Sequence, residues 1–190
     1  MDRLDRHLGL LVKWNRRINL VGESTIANAW DRHFADSAQL WALRPADART
    51  WLDVGAGAGF PGLVIASLAA EAAPDLSVGL AEPDQRKAAF LATVSREAGL
   101  GCTLFPDRWQ SLADQQADVV SARALAPLGD LLALVEKHRR PGGLGLFLKG
   151  ETVHKEIGEA SLLWRFEHQI IPSRTQPKAA VLAIGACERA

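Results

Sequence analysis

The sequence predicts an α/β fold with a helical N-terminal extension and a closing antiparallel hairpin. Three observations lead to that class. Residues 50–186 alternate short apolar runs with helical patterns, residues 2 to about 47 show helical periodicity alone, and a glycine-rich turn, Asp53-Val54-Gly55-Ala56-Gly57-Ala58-Gly59-Phe60-Pro61-Gly62, follows the apolar pair Trp51-Leu52. The turn reads as strand, loop and helix start, with Pro61 suited to a first helical turn where its missing N–H costs nothing.

In chain order, Leu4, Leu8, Leu11 and Ile18 recur at helical spacing with Asn15 on the same stripe. An amide facing packing needs a partner, so Asn15 either bonds the backbone of a neighbouring loop or makes a functional contact. Gly22 is expected to end this helix and Ser24 to cap the next. Strands are predicted at Thr50–Val54, Ser77–Ala81, Cys102–Phe105, Ala117–Ser121 and Leu144–Leu148. The helix predicted over Asp84–Ala98 puts Phe90, Leu91 and Val94 on one side and Arg86, Lys87, Arg96 and Glu97 largely on the other. A further helix is predicted over Ile157–Leu163, and Phe166–Ile171 is expected to pair with Ala180–Ile184 around Pro172 and Pro177. Without internal repeats or low-complexity tracts, the chain reads as one domain, with 1–48 the extension and 49–190 the α/β core.

Composition narrows the function classes. At 48% apolar and 6% aromatic, the chain can bury a core of Leu, Ala and Val, which argues against disorder. Its 22 acidic and 22 basic residues cancel, so it lacks the overall basic charge of many nucleic-acid binders, although a local basic face stays open. Cys102 and Cys187 make neither a disulfide framework nor a metal ligand set; they read as core or terminal thiols and fit a reducing cytosol. Met1-Asp2-Arg3-Leu4-Asp5-Arg6 lacks the apolar core of a signal peptide, and no run approaches the ~20 apolar residues of a membrane span. A cytoplasmic enzyme is expected.

Four glycines in eight residues let backbone approach a ligand closely. Gly57-Ala58-Gly59-Phe60-Pro61-Gly62 matches the dinucleotide pattern GxGxxG, with Glu82 at a suitable distance, and a glycine-rich turn without any ligand is the plainer alternative. Asp53 and the additional Gly55 depart from the dinucleotide arrangement and put a carboxylate beside the loop, where it would repel a pyrophosphate. That carboxylate suits an ammonium, directly or through water, and S-adenosylmethionine offers one without any phosphate. Glu82, ending the next apolar run, can then accept the ribose hydroxyls.

Open α/β sheets bind ligands at the carboxyl ends of their strands, where Ser121-Ala122-Arg123-Ala124 and Lys149-Gly150 fall. No Asn/Asp-Pro-Pro-aromatic motif follows the fourth strand, and neither cysteine is placed as a nucleophile. An acceptor that is already nucleophilic, such as a purine ring nitrogen, would need only alignment. Arg123 and Lys149 are then positioning cations or, alternatively, surface charges at strand ends. In Arg32-His33-Phe34-Ala35-Asp36-Ser37, helical spacing places Arg32 and Asp36 on one face, an intrahelical ion pair being the plain account of them, and His33 above Ser37; His33 is either a packing residue or a substrate contact.

Together these pieces resemble the bacterial 16S rRNA guanine-N7 methyltransferases, the glucose-inhibited division protein B family. The resemblance spans almost the whole chain: Trp14-Asn15 with Ile18-Asn19-Leu20, Arg32-His33-Phe34 with Asp36-Ser37, and Asp53–Gly62 come first. Arg86-Lys87, Phe90-Leu91, Ser121-Arg123-Ala124 with Ala126-Pro127-Leu128, and Leu148-Lys149-Gly150 follow. It implies a class I S-adenosylmethionine-dependent methyltransferase fold, methyl transfer to N7 of a guanine in the decoding-region loop of 16S rRNA, and cofactor contacts at Gly55, Phe60, Arg123 and Trp109-Gln110. The expected cofactor set is thus Asp53, Gly55, Gly57, Gly59, Phe60, Glu82, Trp109, Gln110 and Arg123. Arg32, His33, Arg123 and Lys149 are expected to meet RNA, with Arg16 and Arg17 as further patch residues. The chain departs from the family where a small residue and Glu are usual, having Trp109-Gln110, and where an arginine-containing segment is common, having Lys178-Ala179-Ala180. A metal-free monomer acting on the small ribosomal subunit or an assembly intermediate is expected. The competing functions are a small-molecule methylase, a nicotinamide oxidoreductase and a cofactor-binding RNA or assembly protein without catalysis; which cofactor binds, and whether methyl is transferred, separates them.

Overall fold

The computed structural model describes residues 2–190. Helix α1 (Asp2–Asn15) opens the chain. Residues 23–43 then form a 3-10 turn (Glu23–Asn28), a π-helical turn (Trp30–Ala35), the short helix α2 (Asp36–Ala38) and a second 3-10 turn (Gln39–Leu43). The α/β part follows as β1 (Thr50–Val54), α3 (Gly62–Ala72), β2 (Ser77–Ala81), α4 (Gln85–Glu97), β3 (Thr103–Phe105), β4 (Ala117–Arg123) and α5 (Leu128–His138). It ends with β5 (Arg139–Lys149), α6 (Val153–Ala160), β6 (Trp164–Pro172) and β7 (Ala180–Arg189).

The seven strands form one sheet in the order β3-β2-β1-β4-β5-β7-β6. The first five run parallel, and β7 inserts antiparallel between β5 and β6, with Leu146 opposite Ala183 and Ile171 opposite Val181. Both faces of the central strands are covered, so neighbouring residues are both apolar and divide between two cores. Trp51, Val119, Leu146 and Val181 join the core beneath α3, α4 and the extension. Leu52, Val120, Phe147 and Leu182 join the core beneath α5 and α6.

Differences from the sequence-based boundaries have local causes. Helix α1 ends well before Gly22 because the Asn15 side chain accepts hydrogen bonds from the Leu20 and Val21 N–H groups at 3.0 and 2.9 Å, turning the chain back. This is the loop-backbone role anticipated for Asn15. Gly22 precedes a 3-10 turn, and Ser24 does not cap it; Thr25 instead donates to the Gly22 carbonyl at 2.6 Å. Helix α6 spans Val153–Ala160 rather than Ile157–Leu163, as Leu162 and Leu163 face solvent. Strands β6 and β7 are longer than predicted because their mutual pairing continues to Trp164 opposite Arg189, and β5 is longer because Arg139 pairs with Ala117 across an irregularity before the regular register resumes at Leu144. Helix α4 starts one residue after Asp84, whose carboxylate caps the Arg86 and Lys87 N–H groups at 2.9 and 3.1 Å.

At the amino ends of β1 and β4, Asp118 accepts from the Arg49 and Thr50 N–H groups, both at 2.8 Å, and from the Thr50 hydroxyl, and it pairs with Arg140. Burial alone would raise its pKa, but these donors outweigh burial and hold it at about 2. Asp118→Ala leaves two backbone donors without partners, so we expect a loss of about 2 kcal/mol in urea unfolding at neutral pH.

Candidate active site

The glycine loop rests on a buried carboxylate. Asp53 is fully buried at the end of β1; one oxygen accepts from the Gly62 N–H at 2.9 Å and the other from the Ser121 hydroxyl at 2.7 Å. Ser121 in turn accepts from the Trp51 indole N–H at 2.8 Å. Gly62 permits this approach because a Cβ there would lie 2.7 Å from the Asp53 carboxylate. Burial pushes the Asp53 pKa up to about 7, against the pull of the Ser121 and Gly62 hydrogen bonds and of Arg123. Asp53 is therefore placed beneath the loop. Its direct contact with a ligand ammonium, one of the routes expected from the sequence, is closed in this arrangement.

Glu82 occupies the other side of the loop, accepting from the Gly57 N–H at 2.8 Å and the Asp84 N–H at 2.9 Å. Gly55, Gly57 and Gly59 have positive φ, as the turn requires. Two loop N–H groups are thus already committed to carboxylates. A pyrophosphate in that position would lose these donors to the two carboxyl groups, which disfavours a dinucleotide.

Phe60, at the loop's far end, is sandwiched between two imidazoles. His7 stacks on it at 4.9 Å and His33 at 5.0 Å, while Phe34 meets it edge-on. The Arg123 guanidinium lies 4.9 Å from the Phe60 ring centre. His7 bonds the Ala58 carbonyl at 2.8 Å through Nε2, so the extension is fastened to the loop by both stacking and hydrogen bonding. His33 connects outward, with Nδ1 3.1 Å from Arg123 and Nε2 2.8 Å from the Thr25 hydroxyl. Because arginine only donates, Nδ1 is the acceptor and Nε2 carries the proton given to Thr25, which itself donates to Gly22. Burial lowers both histidine pKa values to about 4; the positive charges of Arg123 and Arg32 add to this at His33.

The predicted Arg32–Asp36 pair does not form. The π-helical turn changes the spacing on which that pairing rested, turning His33 and Phe34 inward and leaving Arg32 exposed toward Gln176. Asp36 faces Arg123 at 3.9 Å and accepts from Thr175 at 2.7 Å and Gln39 at 2.9 Å. His33 accordingly contacts Thr25, Phe60 and Arg123 rather than lying over Ser37. Lys149 is also engaged: it pairs with Glu156, which the Thr152 hydroxyl supports at 2.8 Å, and it reaches the Ala126 carbonyl at 3.4 Å.

These groups line a cavity of about 560 Å³ bounded by the extension, the loops after β4 and β5, and the β6–β7 turn. A smaller cavity of about 210 Å³ is lined by Gly55, Pro83, Arg108, Trp109 and Gln110. Leu125 and Ala126 border both. Trp109 packs edge-on to His138 and its carbonyl accepts from His138 Nε2 at 2.9 Å, so its ring is partly core while the segment lines the smaller cavity. Arg16 and Arg17 lie outside the large cavity. Sequence reasoning missed Glu156, Thr25 and Gln176 as cleft residues; only the four-residue Thr152–Glu156 spacing left a trace, whereas the other two come in through tertiary folding. Among the described residues, no group of three or more His, Cys, Asp or Glu side chains could hold a metal ion, and no helix is long and apolar enough to cross a membrane.

The family described as GidB, rRNA small subunit methyltransferase G, matches residues 1–181. A ribosomal RNA small subunit methyltransferase G from Cereibacter sphaeroides is 48% identical, covering 98% of this chain and 89% of its own. A relative of that name from a Ruegeria species is 42% identical, covering 100% and 92%. Among solved structures, an Aquifex aeolicus SAM-dependent methyltransferase is similar in fold, with a TM-score of 0.61 at 13% identity, covering 84% of this chain and 92% of its own. A Klebsiella pneumoniae protein described as a putative O-methyltransferase gives 0.61 at 16% identity, covering 95% and 90%.

The buried histidines set a pH dependence. Their folded pKa values lie below the ordinary 6.5, so between pH 6.5 and about 4 the unfolded chain binds more protons and stability falls on acidification. His138, also lowered, adds to the effect, while Asp53, raised, opposes it over the same window. We expect the urea midpoint to fall between pH 6.5 and 4.5, and His33→Gln to reduce that slope by about one proton, ~1.4 kcal/mol per pH unit.

Proposed function

We propose that this chain, which belongs to the GidB family of rRNA small subunit methyltransferase G, transfers the methyl group of S-adenosylmethionine to N7 of a guanine in the decoding-region loop of 16S rRNA. One observation about the large cavity carries the choice of acceptor: every side chain that could serve there as a general base is already engaged. Asp36 is held by Arg123, Thr175 and Gln39, Glu156 by Lys149, and neutral His33 uses both ring nitrogens. A ring nitrogen with its own lone pair asks for alignment and no proton removal.

The donor set fits the cofactor. Glu82 shares its oxygens between Gly57 and ribose hydroxyls, the Trp109-Gln110 segment and Gly55 line a pocket for the base, and Gly59 and Phe60, both buried, support the loop from beneath. Asp53 supports the loop and reaches an ammonium only through water. When bound, S-adenosylmethionine would supply an electrophilic methyl group on a sulfonium to a nucleophilic ring nitrogen, its sulfur leaving with the bonding pair as a neutral thioether. Arg123, clasped by His33 and Asp36 and lying on Phe60, links the glycine loop to the acceptor cavity and holds the two halves in register. Arg32 meets the RNA backbone at the exposed cavity rim, and Lys149, held by Glu156 in the cavity wall, meets the RNA from within. The protein works as a metal-free cytoplasmic monomer on the small subunit or an assembly intermediate, where the guanine is unstacked before reaction. Its balanced charge supports this: with no global field, recognition falls to a local patch.

Transfer of labelled methyl to small subunits lacking the mark should yield 7-methylguanosine on nucleoside digestion; cofactor binding with no transfer would leave a non-catalytic RNA-binding protein instead. Asp53→Ala should weaken cofactor binding by about tenfold in calorimetry, consistent with loss of a buried hydrogen-bonded support. Lys149→Ala should raise KM for the RNA substrate with cofactor affinity unchanged, a split that steady-state kinetics resolves.

A further inference from the structure

A further cavity, distinct from the two described above, lies beside the cleft and takes no part in the reaction just described. It measures about 320 Å³ and is lined by Lys13, Trp14, Arg17 and Ile18 from the end of α1 and by Gln85, Arg86 and Ala89 from the start of α4. The two helices run antiparallel, since Arg6 reaches the Glu97 carbonyl at 2.9 Å at one end and Trp14 meets Phe90 at 5.7 Å toward the other. The groove therefore opens at the end of α4 that follows the Glu82–Asp84 turn, the same end of the sheet as the glycine loop. Only the Asn15–Gly22 segment separates it from the cleft: Ile18 faces the groove, while Leu20, Val21 and Gly22 line the reaction cavity. Asn15 fixes that segment through the Leu20 and Val21 N–H groups.

Its chemistry combines an apolar floor with a cationic rim. Trp14, Ile18 and Ala89 supply the floor, and Lys13, Arg17 and Arg86 the rim. Among the described residues Lys13, Arg16 and Arg17 pair with no carboxylate; Arg86 alone has an acidic neighbour, Asp84 at 3.9 Å, on the surface. Unpaired arginine and lysine around an indole is the combination that holds single-stranded nucleic acid, phosphates on the cations and a base against the aromatic surface. A neutral chain that binds a polyanion has to concentrate its cations, and here three gather around one apolar groove.

We propose that this groove holds an unpaired nucleotide of the substrate RNA flanking the target guanine. The proposal rests on the rRNA methylation reading and deepens it: the RNA spans two adjacent sites, the target base entering the cleft and a neighbouring base the groove, on either side of the Asn15–Gly22 segment.

The test uses small ribosomal subunits lacking the methyl mark. The double variant Lys13→Ala/Arg17→Ala removes rim charge, and Ala89→Trp fills the floor without changing charge. We expect each to raise KM for the subunit about tenfold, with kcat and S-adenosylmethionine affinity unchanged. The double variant should also flatten the dependence of log affinity on log salt by about 1.4, two single-strand contacts' worth, and Ala89→Trp should leave it unchanged. A benzophenone side chain placed at Gln85 should crosslink to 16S rRNA. Unchanged KM in both variants, or a crosslink to a ribosomal protein in place of RNA, overturns the proposal. If the unaltered chain transfers no methyl, the reading of the cleft fails and the groove with it; if it transfers normally and the variants match it, the groove alone fails.

Discussion

A single buried carboxylate organises the catalytic end of this molecule. Asp53 is the last polar group of β1 before the loop, and it ties three elements together: its own strand, the start of α3 through Gly62, and β4 through Ser121. The Trp51 indole extends the tie across the core. The arrangement works because Gly62 brings backbone where a side chain would collide. An unpaired carboxylate at this depth would cost several kcal/mol, so the loop conformation and the hydrogen bonds are conditions for each other. The loop, with its positive-φ glycines and Phe60, is built on that support.

The extension depends on the loop in turn. Phe60 offers two faces, taken by His7 and His33, and an approach for Arg123. Through these contacts residues from the first helix, the π-helical turn and the fourth strand meet on one aromatic ring. The histidines serve here as neutral, hydrogen-bonding aromatics, a role that burial enforces by keeping protons off them at neutral pH. Arg123 consequently has an acceptor in His33 and a counter-charge in Asp36, and its orientation is fixed before any substrate arrives.

Much of this was legible in the sequence, for identifiable reasons. The strands β1, β2 and β4 stand out because central parallel strands are continuous apolar runs, and the loop stands out because few structures need so many glycines together. Asn15 could be narrowed to two roles because a polar residue on an apolar stripe must find a partner. The π-helical turn escaped notice, since Trp30–Ala35 carries no local signature that separates it from an α-helix, and with it went the pairing of Asp36. The engagement of Lys149 by Glu156 and the approach of Gln176 to the cleft arise from tertiary packing, which periodicity does not encode. Asp53 shows an intermediate case: a carboxylate beside the loop is readable, but it reads as a ligand contact, and its burial beneath the loop with both oxygens bonded to protein is clear only in three dimensions.

The hydrogen bond from Thr175 to Asp36 spans 139 positions of the chain. It has a consequence for the order in which the protein can be made. The glycine loop and the parallel strands around it are all encoded before residue 150, but the wall of the cleft near Asp36 and Arg123 comes from the turn between the last two strands, which comes into place when β7, carrying β6 as its hairpin partner, pairs with β5. In a nascent chain the sequence of the glycine loop is thus complete long before the wall of the large cavity, which waits for the final hairpin to emerge and pair with β5.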